Sequence, residues 1–270
     1  MKSKILVNLF LIIFFYQNIL VAEIFKIESS KIKILNNGNI TKASNGVKII
    51  SNDGMEIIGE NLIYDKKKSI LEIFGNVIIK DIKNDIITEG NEFIYFKNEE
   101  KIQSIGKTKS NIKKNYFLES SDLVYHRNLS EIYSDKKSKI EDSQNNIFYT
   151  EKFKLNLINN ILKSKNLSLF DNQKNEYYLD FAVVNLKDNE FLGSDITIDF
   201  EDSLFGNNEN DPRLKGNSLF AEKNNTTIYK GSFTTCNQKD NKCPPWSMYA
   251  DEVVHKKNEK KIEYKNAWLK

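Results

Sequence analysis

Apolar and polar residues alternate in segments that recur about every 30 residues between positions 57 and 183. Alternation with a period of two is typical of a β-strand that turns one face inward. Recurrence at about 30 residues indicates like units stacked on one another. The aligned segments are 57–64, 86–95, 117–125, 147–155 and 177–183. Two inward columns run through them: Leu62, Phe93, Leu123, Phe153 and Val183 in one, and Tyr64, Tyr95, Tyr125 and Leu155 in the next.

A polar turn and a second strand follow each segment, as in 65–68 and then 70–79. β-branched and aromatic residues dominate these strands, which argues against helices. The prolines lie near the C-terminus and leave the repeats uninterrupted. The pattern predicts an all-β fold of stacked rungs in two facing sheets over residues 23–200. Its open first and last edges predict partners that join by edge-strand addition.

The N-terminus has the features of a secretory signal. Lys2 and Lys4 precede an apolar run at 5–16, and small and apolar residues lead to Ala22. We predict a signal helix over 1–22 with cleavage after Ala22, and an exported protein. The alternative is an uncleaved anchor, although the apolar run is shorter than the roughly 20 residues that a spanning helix needs.

After residue 200 the pattern weakens. Residues 201–225 are rich in polar and turn-forming residues and predict a loop, and 226–270 predict a terminal β-segment. The chain stops at Lys270 within an apolar strand, which predicts either a fragment or a hand-over to a region encoded elsewhere. Cys236 and Cys243 are disulfide candidates in an oxidising compartment. They form a local bridge, remain unpaired thiols, or pair with cysteines of another chain.

Composition narrows the classes of function. Lys and Arg number 40 and Asp and Glu 37, without long basic blocks, so we expect no nucleic-acid partner. His126 and His255 have no metal-ligand neighbours at the usual spacing, so we expect no metal site. Phosphate-loop, dinucleotide and nucleophile-elbow motifs are missing, so we expect no enzyme and no cofactor.

The rung around Gly75-Asn76-Val77 resembles the OstA-type periplasmic jellyroll of lipopolysaccharide transport. The resemblance implies a β-jellyroll (β-taco) and a location in the periplasm or at the cell outer membrane. The tail is similar to the N-terminal portion of the LptD family of outer-membrane lipopolysaccharide-assembly proteins, whereas the repeats alone also fit LptA or LptC. Members of the LptD family continue into a large barrel, and there a cysteine like Cys236 bonds to the barrel; we expect the barrel either to follow this segment in a longer chain or to be encoded separately. The tail residues that carry the resemblance are 211–216, 233–236, 245–246, 250–255 and 262–269.

The resemblance implies a trough that carries the acyl chains of lipid A and is wide enough to admit hydrocarbon. Exposing a twelve-carbon chain to water costs roughly 10 kcal/mol, at about 0.8 kcal/mol per methylene. Implied partners are lipopolysaccharide, an LptA-like jellyroll, an outer-membrane barrel and an LptE-like lipoprotein. The candidate groove residues are Leu62, Tyr64, Val77, Ile79, Phe93, Tyr95, Leu123, Tyr125, Phe153, Leu155, Leu179, Phe181 and Val183.

Other interpretations stay open at this point. Inward residues of any β-sandwich fill its own core, so the same columns fit a purely structural or adhesive β-solenoid. An LptA- or LptC-like bridge component is a further alternative. A carbohydrate-active β-helix enzyme would need clustered carboxylates on one exposed face, and the sequence shows no such cluster.

Overall fold

The computed structural model describes residues 25–188, 190–202, 211–236, 246–256, 258–259 and 261–270. These residues form antiparallel strands and one short 3₁₀ helix, which confirms the predicted all-β class. The predicted signal segment and Cys243 lie outside the described residues. In the part of the chain that is described, no helix has the length and hydropathy of a membrane span.

The strands are mostly 9–12 residues long, and short ones occur where a strand is interrupted. They are β1 Lys26–Leu35, β2 Ile40–Ile50, β3 Met55–Asp65, β4 Ile70–Asp81, β5 Ile86–Phe96, β6 Lys101–Ile112, β7 Tyr116–Ser121, β8 Val124–His126, β9 Glu131–Ser134, β10 Ser138–Asp142, β11 Ile147–Thr150, β12 Lys152–Asn156, β13 Ile161–Phe170, β14 Glu176–Asn185, β15 Glu190–Asp199, β16 Arg213–Ala221, β17 Asn225–Thr234, β18 Met248–Lys256, β19 Lys261–Lys265 and β20 Trp268–Leu269; the 3₁₀ helix is Lys97–Glu99.

Apart from the split strands described next and the strands at the two ends, each strand pairs with the strand before and the strand after it, and together the described strands form one continuous antiparallel sheet. In the middle of the chain, three strands are each split into two collinear pieces. The pieces are β7 and β8, β9 and β10, and β11 and β12. β7 and β8 both pair with β6. β9 pairs with β8 and β12, and β10 pairs with β7 and β11. The hairpin turns therefore form two rows, one at each end of the strands. Row A comprises 51–54, 82–85, 113–115, 143–146 and 171–175, and row B comprises 36–39, 66–69, 97–100, 127–130, 157–160 and 186–188.

The two rows of turns meet in space. A straight strand of 10–12 residues is about 33–40 Å long, so groups in opposite rows of a flat sheet would be that far apart. Instead, Nε of Arg127 in row B donates to Oδ2 of Asp81, which borders row A, at 3.0 Å. The sheet is therefore folded over along a line through the middle of its strands, and its two halves face each other as the two predicted layers do. We call this line the crease and the line where the rows meet the seam.

Local conformation explains the crease. Gly75 has φ +86° and Asn76 φ +47°, in the left-handed region that favours glycine and asparagine, and the register between β4 and β5 shifts at this point. A β-carbon on Gly75 would lie 2.7 Å from the β-carbon of Glu60, and the positive φ would strain any side chain, so glycine is strongly favoured there. Similar bulges recur in the middle of β2, β3 and β5. The Gly-Asn rung singled out in the sequence is therefore a folding point of the sheet.

A strand lies within the segment 201–225 that the sequence predicts as a loop. β16 spans Arg213–Ala221 and pairs with both β15 and β17. Leu214 and Leu219 are buried, but they are five residues apart because the strand crosses the crease at Gly216. This interruption, together with Pro212, hid the alternation that identifies a strand.

Candidate functional site: the interior and its seam

The inner faces of the folded sheet enclose a continuous apolar interior. Ten of the predicted groove residues are buried there, and Tyr64 is half-buried against them. The same interior continues into the tail through Leu219, Ile228 and Val253. The ten buried residues are Leu62, Val77, Ile79, Phe93, Tyr95, Leu123, Tyr125, Phe153, Leu155 and Leu179.

Phe181 and Val183 do not face the interior, contrary to the prediction. Phe181 is 47% exposed, and the inward positions of β14 are Leu179, Ala182 and Val184. Two outward residues separate the inward positions on either side of the crease in each of the five repeats. The alignment without gaps places the fifth repeat one residue too late along the chain. Its inward position after the crease is therefore Ala182 and not Val183.

The interior is filled by its own side chains. Phe93, Tyr95 and Phe153 are among the largest fully buried side chains. A cavity of about 10 Å³ remains between Ile79, Phe93 and Leu123, which is room for one water molecule at most. The expectation of a trough already wide enough for hydrocarbon is therefore wrong for this state of the molecule. An acyl chain can enter only if the two halves of the sheet separate.

Hydroxyl side chains line the inner side of the crease in the middle rungs. They bond to one another and to the strand backbone where the ladder is interrupted: Ser120 and Ser138 oxygens are 2.8 Å apart, and Ser164 donates to Thr150 at 2.7 Å. Small residues fit here because the inside of a fold has the least room. The buried hydroxyl residues are Thr88, Ser104, Thr108, Ser110, Ser120, Ser134, Ser138, Thr150 and Ser164.

An open cleft of about 1150 Å³ follows the crease across β4 to β13. Its walls carry charged groups, among them Lys107, Lys109 and Glu119, and it also reaches the hydroxyls of Ser120 and Thr150. Lys109 and Glu119 form an ion pair of 3.1 Å in this wall. This open cleft with charged walls is distinct from the enclosed apolar interior that holds the predicted groove residues.

Arg127 closes the seam at the middle rungs. Its guanidinium side chain is only 4% exposed and contacts three carboxylates. Nε donates to Asp81 at 3.0 Å, Nη1 donates to Glu100 at 2.9 Å, and Nη1 also contacts Asp53. Asp53 and Asp81 lie at row A, whereas Arg127 and Glu100 lie in row B, so this cluster joins the two rows.

Asp81 is the most buried member of the cluster, with a side chain 1% exposed. It also accepts hydrogen bonds from the Tyr125 hydroxyl at 2.9 Å and from Nδ2 of Asn84 at 2.8 Å. Burial alone would raise the pKa of Asp81, but the hydrogen bonds from Arg127 and Asn84 outweigh it and hold that pKa below its usual value. Burial and the neighbouring Asp81 charge raise the pKa of the Tyr125 hydroxyl, which therefore stays a donor.

Further contacts cross the seam between described residues, and each uses at least one side chain. Phe25 packs edge-on against Tyr64 and Tyr95, with ring centroids 6.0 and 6.1 Å apart. Nζ of Lys113 in row A donates to the Leu157 carbonyl in row B at 2.5 Å. Tyr177 and Phe191 pack edge-on at 6.1 Å.

Backbone hydrogen bonds run along the turn rows rather than across the seam. The amide of Lys97 donates to Ser69, and that of Arg127 donates to Glu100, all within row B. Among the residues that the structure describes, no backbone hydrogen bond joins row A to row B. Separating the halves at the seam therefore breaks side-chain contacts and leaves the sheet ladder intact.

The seam cluster was missed in the sequence, where Arg127 reads as part of a polar turn. One signal was available: Arg127 and Arg213 are the only arginines among 40 basic residues. Arginine presents a planar fork of donors that suits several carboxylates at once, and lysine does not. Its selective use in a lysine-rich chain marks positions where that geometry matters.

Cys236 is half-buried at the end of β17, and its carbonyl accepts a hydrogen bond of 3.1 Å from Nη2 of Arg213. Its predicted partner Cys243 lies outside the described residues, so the disulfide stays a prediction.

Comparisons with known proteins add little. No protein-family model and no curated protein matches the chain. A solved structure that it resembles is LptH from Pseudomonas aeruginosa, described as the LptA-homologous periplasmic component of a lipopolysaccharide transport device. The two are 9% identical, the match covers 53% of this chain and 82% of that one, and the TM-score is 0.26. At that level the likeness carries no argument about function.

Proposed function

We propose that this protein is an exported, periplasmic carrier in lipopolysaccharide transport that holds acyl chains between the halves of its folded sheet. The observation that carries the proposal is an unbroken apolar interior, from Val47 to Val253, closed by a seam of side chains alone. Because no backbone hydrogen bond joins the two turn rows among the described residues, the halves could separate at the seam without breaking the sheet ladder. The resemblance of the repeats to OstA-type jellyrolls points to the same lipid.

Opening replaces one apolar contact with another. When the halves separate, the inner side chains lose contacts with each other and gain contacts with hydrocarbon. The acyl chain at the same time leaves water, which favours transfer by about 0.8 kcal/mol per methylene. The net cost of opening is then concentrated in the seam contacts, above all the Arg127 cluster.

The free edges of the sheet suit the proposed partners. β1 pairs only with β2 among the described strands, and its residues Ile32, Ile34 and Leu35 are exposed. An unpaired strand edge accepts a strand from another chain. We propose that an LptA-like jellyroll adds at such an edge. An LptD-like role beside a barrel and an LptE-like lipoprotein remains part of the proposal, based on the tail.

Photo-crosslinking in cells tests the proposal. A photoreactive residue at Phe93, which faces the interior, is expected to capture lipopolysaccharide, and one at neighbouring Ile94 on the outer face is not. A second matched pair is Leu123, which faces the interior just before β8, and Val124, the first residue of β8, on the outer face. Equal capture within both pairs, or capture at Ile94 and Val124 alone, would contradict an internal path. No capture at any site would favour the structural β-solenoid.

A further inference from the structure

The outer face of β12 to β17 carries lysines beside exposed apolar side chains. Lys154 lies opposite Lys163, and Lys152 opposite Lys165, on the adjacent strands β12 and β13. Like charges placed directly opposite each other on a sheet destabilise it. We define the basic-apolar face as Lys152, Lys154, Lys163, Lys165, Phe181, Val183, Leu192, Phe220 and Tyr229.

Two of the four lysines are left uncompensated. Lys152 pairs with Asp135 at 2.6 Å, and Lys154 pairs with Glu131 at 2.8 Å. Lys163 and Lys165 are exposed and make no ion pair with a described residue. Positive charge is therefore available on this edge of the face.

The apolar part adjoins the lysines through the sheet register. Phe181 lies opposite Lys165, and Val183 lies between Lys163 and Leu192. Leu192 in turn pairs with Phe220. Phe181, Leu192, Phe220 and Tyr229 are 47%, 52%, 42% and 45% exposed, although they occupy neighbouring strands on one face. Exposed apolar side chains on adjacent strands of one face indicate an interaction surface rather than scattered exposed residues.

We propose that the basic-apolar face docks this protein on the surface of an anionic phospholipid bilayer. Lysines beside aromatic and aliphatic side chains match a charged headgroup layer with hydrocarbon beneath it. A soluble anion would use the lysines but leave the apolar residues without a role. The inference does not depend on the proposed transport function, because it uses only outward side chains.

Vesicle flotation of the full chain tests the proposal. Binding to phosphatidylcholine vesicles containing one quarter phosphatidylglycerol is expected to exceed binding to pure phosphatidylcholine about ten-fold. Lys163→Glu/Lys165→Glu and Phe181→Ser/Leu192→Ser should each lower anionic binding about ten-fold. The control for the lysine variant is Lys66→Glu/Lys67→Glu, in an exposed turn outside the basic-apolar face. The control for the apolar variant is Ile82→Ser/Ile105→Ser, since both isoleucines are exposed outside that face. Each control should change binding less than about two-fold.

A site-specific probe separates docking by this face from binding by any other part of the chain. In a Cys236→Ser/Cys243→Ser background, a fluorophore on Leu192→Cys should be quenched by brominated acyl chains, and one on Ile82→Cys should not. Equal quenching at both sites would overturn the proposal. Unchanged binding of the Lys163→Glu/Lys165→Glu variant would do so as well. Release from the vesicles by inorganic phosphate at constant ionic strength would show instead a site for a soluble anion.

Discussion

Replacing Arg127 with methionine is expected to lower the free energy of unfolding by about 3–5 kcal/mol. The change leaves Asp81 buried without its guanidinium partner, and a buried carboxylate without a counter-charge is among the most costly defects that a fold can carry. Asn84 and Tyr125 still donate to it, but neither supplies a positive charge. Urea denaturation of both proteins, followed by circular dichroism, measures the difference.

A double variant provides the control for this prediction. In Arg127→Met/Asp81→Asn no charge remains buried, so much of the lost stability should return and the double-mutant cycle should show strong coupling. Losses that simply add would mean that the two groups do not interact in solution. If Arg127→Met lowered the free energy of unfolding by less than about 1 kcal/mol, the Arg127–Asp81 pair would behave as an exposed ion pair rather than a buried one.

The same cluster makes the free energy of unfolding depend on pH in the acid range. The pKa of Asp81 is lowered in the folded state, so its contribution is fully present above the ordinary value of about 3.9 and is lost as the pH falls through the lower folded value. Stability of the wild type should therefore decline below about pH 4. In Arg127→Met/Asp81→Asn this part of the decline should be missing.

Replacing Phe153 with alanine is expected to cost about 3–5 kcal/mol, because the ring is fully buried and leaves a cavity. Phe181→Ala is the matched control: the sequence places both residues inside, but the structure leaves Phe181 47% exposed. That substitution should change stability by less than about 0.5 kcal/mol. Similar losses of stability for both variants would mean that Phe181 is buried, which would contradict the register at the crease. Thermal melts and urea titrations of the two variants decide the matter.

The repeat pattern predicted the strands and most of the interior because alternation is a local property of each half-strand. Leu62, Phe93, Leu123 and Phe153 were placed correctly from the two-residue period and the spacing of the copies. Phe181 and Val183 were not, because the phase of the alternation shifts at the crease and one repeat is shorter. In the sequence the crease is marked by small residues just before that shift, Gly59, Gly90, Ser120 and Thr150, and by the pair Gly75-Asn76.

The seam could not be predicted by the same reasoning. Asp81 and Arg127 are 46 residues apart and belong to opposite turn rows, so their contact exists only once the sheet has folded over. The amount of space inside depends on how the two halves interlock, which no pattern along one strand contains. The continuous apolar column was predictable, and the filled state of the interior was not.

Opening of the seam on lipid binding is the central claim, and spin-label distances test it most directly. In a Cys236→Ser/Cys243→Ser background, labels at Asp85→Cys in row A and Asn128→Cys in row B report across the seam, and labels at Asn98→Cys and Asn128→Cys report within row B. Adding lipopolysaccharide is predicted to lengthen the cross-seam distance by about 5 Å, roughly half the spacing of packed sheets, and to leave the distance within row B unchanged. An unchanged cross-seam distance with lipid bound would contradict the account.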